Sequence, residues 1–231
     1  MKRFYKDVSF ARTDLGWAVS LDGRPIKTQE GQPQVVPTEA LAAKLAGEWE
    51  AQGETIDPTA FRYRDMTDYA LDIVARDKDS VVEKLLGYAE TDTLCYRADP
   101  EDALFRRQQE VWEPLVAGLE AREGLTLHRV SGIIHRPQNP QSLASLRSRL
   151  EGFDAFRLTA LEQATSLAAS ICVGLAAMED SADPDALWDA ANLEEDWQAE
   201  LWGQDEEAQE RREKRRQDFH AAIEFARAAA A

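Results

Sequence analysis

One compact polar segment of the sequence has the residue types needed for acid–base chemistry. Positions 88–97 read Tyr-Ala-Glu-Thr-Asp-Thr-Leu-Cys-Tyr-Arg, so that Glu90 and Asp92 are separated by one residue. Two neighbouring carboxylates can titrate at different pH values, and one can then donate a proton while the other accepts one. A small hydrolase could use this pair, but no nucleophile or metal ligand accompanies it. We favour a structural role, in which Asp92 caps a turn and pairs with Arg97.

The sequence contains none of the common motifs for catalysis or metal binding. It has no glycine-rich phosphate loop, no GxSxG, no HExxH and no zinc-ligand spacing. His128, His135 and His220 are scattered along the chain, which is typical of surface or hydrogen-bonded histidines. We therefore predict that the protein is not an enzyme, with no catalytic residues, metal site, cofactor or small-molecule substrate.

A second group of residues has the chemistry of a docking surface. Thirteen Asp or Glu residues, no Lys or Arg, and three of the six tryptophans lie between positions 179 and 210. On a helical wheel Glu194 falls within an apolar arc, whereas Trp188, Trp202 and Glu195 lie on the far side. A carboxylate in an apolar stripe is costly to bury unless a cation or a hydrogen-bond donor meets it. Two interpretations stay open: an arginine of this chain pairs with Glu194, or Glu194 meets a cation on another protein.

The net charge restricts the kind of partner that the protein can bind. It is −16 with a pI of about 4.6, and most of the excess negative charge lies in residues 179–210, which we call the acidic segment. Nucleic acids and anionic membranes require basic patches, so neither is expected as a partner. Complementary charge favours a basic or amphipathic protein surface. The basic run at 211–216 is expected to neutralise part of the acidic segment along a helix, for example through Glu207 and Arg211.

Cysteine usage and hydropathy predict a cytoplasmic protein. Cys95 and Cys172 have no CxxC spacing, which indicates free thiols in a reducing compartment. The first residues carry charge without an apolar stretch, so we expect no signal peptide. The longest apolar run, at 165–178, is too short to span a bilayer and predicts a buried helix rather than membrane insertion.

The hydrophobic pattern divides the chain into two parts and predicts an α+β fold. Apolar residues alternate at positions 17, 19 and 21 before the turn signal Asp22-Gly23. From Thr38 the apolar period changes to four residues, which predicts a helix ending near Ala51. We predict a small, antiparallel, β-rich N-terminal domain with one helix at 1–64, followed by an all-α helical domain at 65–231.

The helical part contains several predicted helices. They lie at 140–150, 154–178, 184–202 and 205–228. An earlier helix contains Pro114, which we expect to kink or end it. The small, apolar residues of 164–178 predict the most buried helix of this domain, with Leu167, Ile171 and Leu175 in the core.

Several sequence blocks, in a fixed order over nearly the whole chain, resemble one protein family. They are Arg-Phe-Tyr-Lys-Asp-Val at 3–8, Leu-Asp-Gly-Arg-Pro-Ile-Lys-Thr at 21–28, Gly-Glu-Trp-Glu-Ala-Gln at 47–52 with Ile-Asp-Pro at 56–58, Thr-Asp-Thr-Leu-Cys-Tyr-Arg at 91–97, Trp-Glu-Pro-Leu at 112–115, Leu-Glu-Glu-Asp-Trp-Gln at 193–198 and Leu-Trp-Gly at 201–203. This ordered set resembles the assembly chaperones for the alpha subunit of F-type ATP synthase, found in mitochondria and related bacteria. The chain departs from the family at 61–65, where Phe-Arg-Tyr-Arg-Asp replaces a Met-Pro-hydroxyl stretch.

The resemblance implies a chaperone without catalytic activity. It implies binding of the unassembled alpha subunit, shielding of the surface that later contacts the beta subunit, and support for assembly of the alpha/beta hexamer. Eukaryotic relatives are expected in the mitochondrial matrix. The family has a functionally needed acidic residue in a late helix, and Glu194 matches it by position. The residues expected to contact the partner are Glu194, Glu195, Trp188, Gln198, Trp202 and Asp205.

A third functional class, besides chaperone and hydrolase, is a permanent structural subunit of a larger complex. A permanent partner would leave a continuous, exposed apolar face when it is removed. A chaperone is expected to show a smaller apolar patch beside concentrated acidic residues. The two classes therefore differ in the composition of the surface around the late helices.

Overall fold

A computed structural model of the chain describes residues 1–132, 135–203 and 205–230. The chain forms two compact units. The first comprises Met1–Lys78, Asp154–Ala160 and the residues from Glu224 onward, and the second comprises Asp79–Phe153 and Leu161–Ile223. This division follows contacts within the folded chain. The division into separate domains at 1–64 and 65–231 stays a prediction.

The first unit contains a small antiparallel sheet. Its strands are β1 (Val8–Thr13), β2 (Gly16–Leu21), β3 (Arg24–Pro25) and β4 (Val35–Val36). Strand β2 pairs with the other three, with Phe10 opposite Val19 and Trp17 opposite Val36. The predicted turn at Asp22-Gly23 is confirmed, since it joins β2 and β3 with φ values of 48° and 75°. These left-handed conformations are the ones that Asp-Gly turns favour.

One amphipathic helix packs against this sheet. Helix α1 (Glu39–Glu50) begins after Thr38, whose hydroxyl accepts a hydrogen bond from the backbone N–H of Leu41 at 3.1 Å. Leu41, Leu45 and Trp49 are buried along one face, as the apolar period of four requires. The Tyr5 hydroxyl donates to the Trp49 carbonyl at 2.6 Å, which ties the N-terminal segment to the helix. A 3₁₀ turn (Pro58–Ala60), helix α2 (Arg62–Tyr69) and a π-helical turn (Ala70–Val74) follow.

The first part of the second unit is built around a long central helix. Its elements are α3 (Lys78–Glu90), a 3₁₀ turn (Thr93–Cys95), α4 (Ala103–Glu123), α5 (Pro140–Glu151) and the parallel two-residue strands β5 (Tyr96–Arg97) and β6 (Val130–Ser131). Helix α4 continues through Pro114, so the proline does not end it. Trp112 and Leu119 of α4, with Leu146 and Leu150 of α5, are fully buried.

In the described residues from 154 onward the chain forms five helices, where the sequence predicted three. They are α6 (Ala155–Ala168), α7 (Ile171–Ala177), α8 (Pro184–Ala191), α9 (Leu193–Trp202) and α10 (Glu206–Ala230). The single helix predicted at 154–178 is wrong, because Ala169 has a left-handed φ of 50° and separates α6 from α7. Ile171 and Leu175 are core residues as predicted, whereas Leu167 is only half-buried.

The α+β class is confirmed. An antiparallel sheet lies at the N-terminal end of the chain, and the remainder is mostly helical. Within the described ranges, no helix is both long and apolar enough to cross a membrane.

Candidate docking surface on the late helices

Within the acidic segment, the single helix predicted at 184–202 is wrong, because this stretch forms two helices, α8 and α9. Asp183 caps α8 by accepting hydrogen bonds from two backbone N–H groups of its first turn at 3.0 and 3.2 Å. Helix α8 ends at Ala191 and is capped by Asn192, whose φ and ψ are −104° and 15° and whose side-chain amide donates to the Trp188 carbonyl at 2.8 Å. A helical wheel drawn through 184–202 therefore misplaces the residues on either side of Asn192.

Trp188 lies in the core, and its predicted place on the partner-binding surface is wrong. Its side chain is 1% exposed. The ring packs against Phe219 of α10 with centroids 5.6 Å apart, and the Arg215 guanidinium lies 5.8 Å from the ring centroid. Helix α10 covers the face of α8 that the wheel assigned to a partner.

Glu194 is half-buried and hydrogen-bonded to a neutral side chain. Its Oε1 accepts a hydrogen bond from Nε2 of Gln108 on α4 at 2.7 Å. No lysine or arginine in the described part of the chain forms an ion pair with Glu194. The interpretation that an internal arginine neutralises Glu194 is therefore wrong, and its negative charge has no countercharge in direct contact.

Gln108 is itself held in one orientation. Its Oε1 accepts from the backbone N–H of Ala98 at 2.8 Å, and its carbonyl accepts from the Arg97 guanidinium at 3.1 Å. Arg97 is buried and also donates to the Glu113 carboxylate at 3.2 Å. Because the amide oxygen of Gln108 is already bonded, its NH₂ group is the part that faces Glu194.

Asp92 has the structural role that we favoured, but with different partners. It is fully buried and accepts hydrogen bonds from the backbone N–H groups of Leu94 and Cys172, both at 2.9 Å, and from the Ser170 hydroxyl at 3.0 Å. Burial raises the pKa of the Asp92 carboxyl. The predicted pair with Arg97 is not formed. Asp92 instead fixes the start of α7 after the break at Ala169.

Glu90 and Asp92 do not form the acid–base pair on which a hydrolase would depend. Glu90 accepts from the backbone N–H of Gln138 at 3.2 Å and lines an open cavity of about 470 Å³. Asp92 is enclosed elsewhere, with its oxygens engaged by backbone and hydroxyl donors. The geometry therefore removes the argument for this hydrolase.

A cleft of about 280 Å³ brings together three of the predicted partner-binding residues, Glu194, Glu195 and Gln198. The other residues that line it are Thr93, Trp112, Leu167, Ala168, Ala169, Ala191, Asn192 and Arg215. Thr93 donates its hydroxyl to the Ala169 carbonyl at 2.9 Å, so the break between α6 and α7 forms part of this wall. The cleft therefore depends on the same polar contacts that define the helix ends.

Several carboxylates of the acidic segment are neutralised within the chain. The pairs with arginine are Arg107–Glu200, Arg122–Glu179, Arg212–Asp196, Arg216–Asp185 and Arg211–Glu207. The predicted Glu207–Arg211 pair is thus confirmed, and the basic run does neutralise part of the acidic segment. Hydrogen bonds from Arg107 lower the pKa of Glu200, and those from Arg216 lower the pKa of Asp185.

The end of α9 is the most exposed part of this region. Leu201 and Trp202 are 62% and 86% exposed, and Asp205 follows them on the surface. Gly203 ends the helix with a φ of 90°, a conformation that favours glycine. We refer to Glu194, Glu195, Gln198, Leu201 and Trp202 as the α9 surface. It combines carboxylates with two large apolar side chains.

The chain is similar to known proteins over most of its length. A family model described as ATP12 chaperone protein matches residues 2–120. The chain belongs to the ATP12 chaperone protein family. A curated member, "Protein atp12, mitochondrial" from Schizosaccharomyces pombe, is 26% identical over 221 residues, which cover 90% of this chain and 76% of that protein.

Solved structures extend the ATP12 similarity to the whole fold. Atp12 from Paracoccus denitrificans superposes with a TM-score of 0.92 at 37% identity, covering 99% of this chain and 98% of that one. An aspartate-to-lysine mutant of the same Paracoccus protein gives the same TM-score and identity. A protein from Agrobacterium tumefaciens gives a TM-score of 0.93 at 37% identity, covering 98% of this chain and 85% of that one.

Gln108, Thr93 and Arg215 contribute polar groups to the candidate site of this ATP12 family member, and they were not among the contact residues predicted from the sequence. Gln108 could have been identified from the sequence, because it is a polar amide at a core-facing position of α4. Buried amides require hydrogen-bond partners. Thr93 and Arg215 reach the cleft only through tertiary packing, and no local pattern marks them.

Proposed function

We propose that this ATP12 family member is an ATP synthase assembly chaperone that binds the unassembled alpha subunit of F-type ATP synthase. In this proposal it shields the surface of the alpha subunit that later contacts the beta subunit, and thereby supports assembly of the alpha/beta hexamer. The family assignment supports the chaperone class. The α9 surface supports the mode of binding.

One observation carries the proposed binding mode. The exposed side chains of Leu201 and Trp202 lie on the same short helix as Glu194 and Glu195, which have no ion-pair partner among the described residues. Exposed tryptophan is a frequent anchor of protein interfaces, because it buries a large area at little cost in conformational entropy. Unpaired carboxylates beside it favour a client surface with basic residues around an apolar centre.

The internal contacts of Glu194 define a variant that tests this binding mode. Glu194→Gln removes the negative charge and retains an oxygen that can accept the hydrogen bond from Gln108. We expect unchanged thermal stability and at least about 10-fold weaker binding of the alpha subunit, which corresponds to about 1.4 kcal/mol. Binding is measured by titration with purified alpha subunit, and chaperone activity by light scattering as that subunit is diluted from denaturant.

Two further variants complete the test. Glu194→Lys is expected to abolish protection of the alpha subunit while leaving the fold largely intact. Glu101→Gln removes an equally negative charge from an exposed turn and should bind like the parent. Loss of binding in both glutamine variants would show a general charge effect. A collapsed melting transition in Glu194→Gln would mean that Glu194 is needed for folding rather than for docking.

The permanent-subunit alternative predicts a different outcome. A permanent partner forms a large apolar interface and dissociates slowly, whereas a chaperone must release its client to the beta subunit. Addition of beta subunit to the preformed complex is therefore expected to displace the chaperone. A complex that stays intact during hexamer assembly would favour the permanent-subunit class.

A further inference from the structure

The first unit contains a cavity that the proposed function does not use. Its volume is about 530 Å³, within the range of sites that accommodate ligands. The aromatic rings of Phe4, Tyr5 and Trp49 form part of its lining, together with Leu21, Pro25 and Ile26. The charged side chains that line it are Arg24, Lys27, Arg64 and Asp22.

The charge of this cavity is opposite to that of the whole chain. Arg24 and Lys27 are exposed and, among the residues described, neither forms a salt bridge. Arg64 is largely neutralised by Asp65 and Asp68, whose carboxylates lie 3.6 and 3.7 Å away, so the uncompensated positive charge comes from Arg24 and Lys27. Asp22 accepts hydrogen bonds from two backbone N–H groups, at 2.9 and 3.0 Å, which lower its pKa. Three cations and one carboxylate thus line a cavity in a chain with a net charge of −16.

Trp49, whose side chain lines the same cavity, contains an unsatisfied hydrogen-bond donor. The indole N–H of Trp49 is buried and has no hydrogen-bond partner in the described part of the chain. The ring is 9% exposed and is held between Tyr5 and Phe61, with centroid distances of 5.5 and 4.5 Å. A buried donor without an acceptor costs free energy, which an acceptor oxygen brought to it would recover. This observation is independent of the charged residues that line the cavity.

We propose that this cavity binds an acidic segment of a partner protein. A carboxylate of the segment lies between Arg24 and Lys27, and a neighbouring aromatic or aliphatic side chain packs against Phe4 and Trp49. The proposal is independent of which client occupies the α9 surface.

The apolar wall favours a protein segment over a small anion. Phe4 is 62% exposed and stands edge-to-face on Tyr5 with centroids 5.3 Å apart. An inorganic anion would use Arg24 and Lys27 but leave these rings uncovered, whereas a peptide covers both parts of the lining. The net charge of the chain opposes nucleic acid as the ligand.

The indole N–H signal of Trp49 in the intact protein provides a direct test. The ¹⁵N-labelled protein is titrated with the peptide acetyl-Ala-Phe-Asp-Glu-Ala-amide, and the Trp49→Phe variant identifies the signal. We expect a saturable shift confined to Trp49 among the six indoles. The double variant Arg24→Ala/Lys27→Ala should weaken binding at least 10-fold and keep the parent melting temperature, since both side chains are exposed.

Matched probes separate the contributions of charge and apolar contact. The peptide with Asn-Gln in place of Asp-Glu should lose binding through the missing charge, and the peptide with Ser in place of Phe should lose it through the missing ring. Equal binding of the Asn-Gln peptide would overturn the proposal. An identical Trp49 shift with inorganic phosphate at the same concentration would also overturn it, because a simple anion would then suffice. Since no alpha subunit is present, failure here leaves the proposed function untouched.

Discussion

Trp188 and Trp202 belong to one acidic segment but have opposite environments. Trp188 is buried between α8 and α10, and Trp202 is 86% exposed at the end of α9. Residue type and spacing place both on a docking surface, and only the packing of α10 distinguishes them. The sequence marks Glu194 as a carboxylate among apolar residues, but its partner Gln108 is distant in sequence, so the neutral environment of Glu194 was not predictable.

We predict that alanine substitutions at the two tryptophans have different consequences. Trp188→Ala should destabilise the protein by about 3–5 kcal/mol, because it leaves a cavity beside Phe219. Trp202→Ala should change stability by less than about 0.5 kcal/mol, because its ring is exposed. Urea denaturation followed by circular dichroism measures both. Comparable destabilisation by the two variants would contradict the assigned environments.

Helices and strands were predicted correctly where the local sequence pattern determines the structure. The alternation before Asp22-Gly23 and the cap at Thr38 correspond to β2 and α1, and the helix predicted at 140–150 corresponds to α5. The predicted helices at 154–178 and 184–202 were each interrupted. At Ala169 the interruption is held by Asp92, which bonds the Cys172 N–H from a distant part of the chain. A pattern of apolar residues contains no information about such a contact.

The left-handed φ of Ala169 predicts that substitution of this residue by glycine stabilises the protein. Ala169 has a φ of 50°, and an L-residue in this conformation is disfavoured by about 1–2 kcal/mol. Ala169→Gly should therefore raise stability by roughly 0.5–1 kcal/mol after the entropic cost of glycine is subtracted. The matched control Ala144→Gly, at an exposed position inside α5, should lower stability by about 1 kcal/mol. Thermal denaturation gives both values, and destabilisation by Ala169→Gly would show that the break is unstrained.

The whole molecule concentrates its negative charge in one part of the chain. The acidic segment retains carboxylates without internal partners even after the basic run has neutralised others. This distribution was predictable, since net charge and its clustering are read directly from the sequence. The basic cavity of the first unit was not predictable from the sequence, because its cations and aromatic rings come from separate sequence positions.

From this charge distribution we predict that binding of the alpha subunit is sensitive to salt, and we expect it to be independent of nucleotide. The association rate should fall about 10-fold between dilute and concentrated NaCl, because the screening length shortens from about 30 Å at 0.01 M to about 3 Å at 1 M. Stopped-flow fluorescence measures this rate. ATP should leave it unchanged. Trp202→Ala provides the control: it should lower affinity but retain the salt dependence, and an unchanged rate in the parent would contradict the electrostatic role.

The construction of α9 has a consequence for how long a client stays bound. Leu193 is the one buried residue of this ten-residue helix, and its start has no side-chain cap. The ion pairs of α9, Arg107–Glu200 and Arg212–Asp196, lie at or near the surface, so local unfolding of α9 is expected to require less free energy than global unfolding. In the proposed binding mode, a client would bind only the helical state of α9, and part of the contact energy would hold the helix in that state. On that proposal we expect a complex that is short-lived for its contact area, which would suit a chaperone that releases its client to the beta subunit.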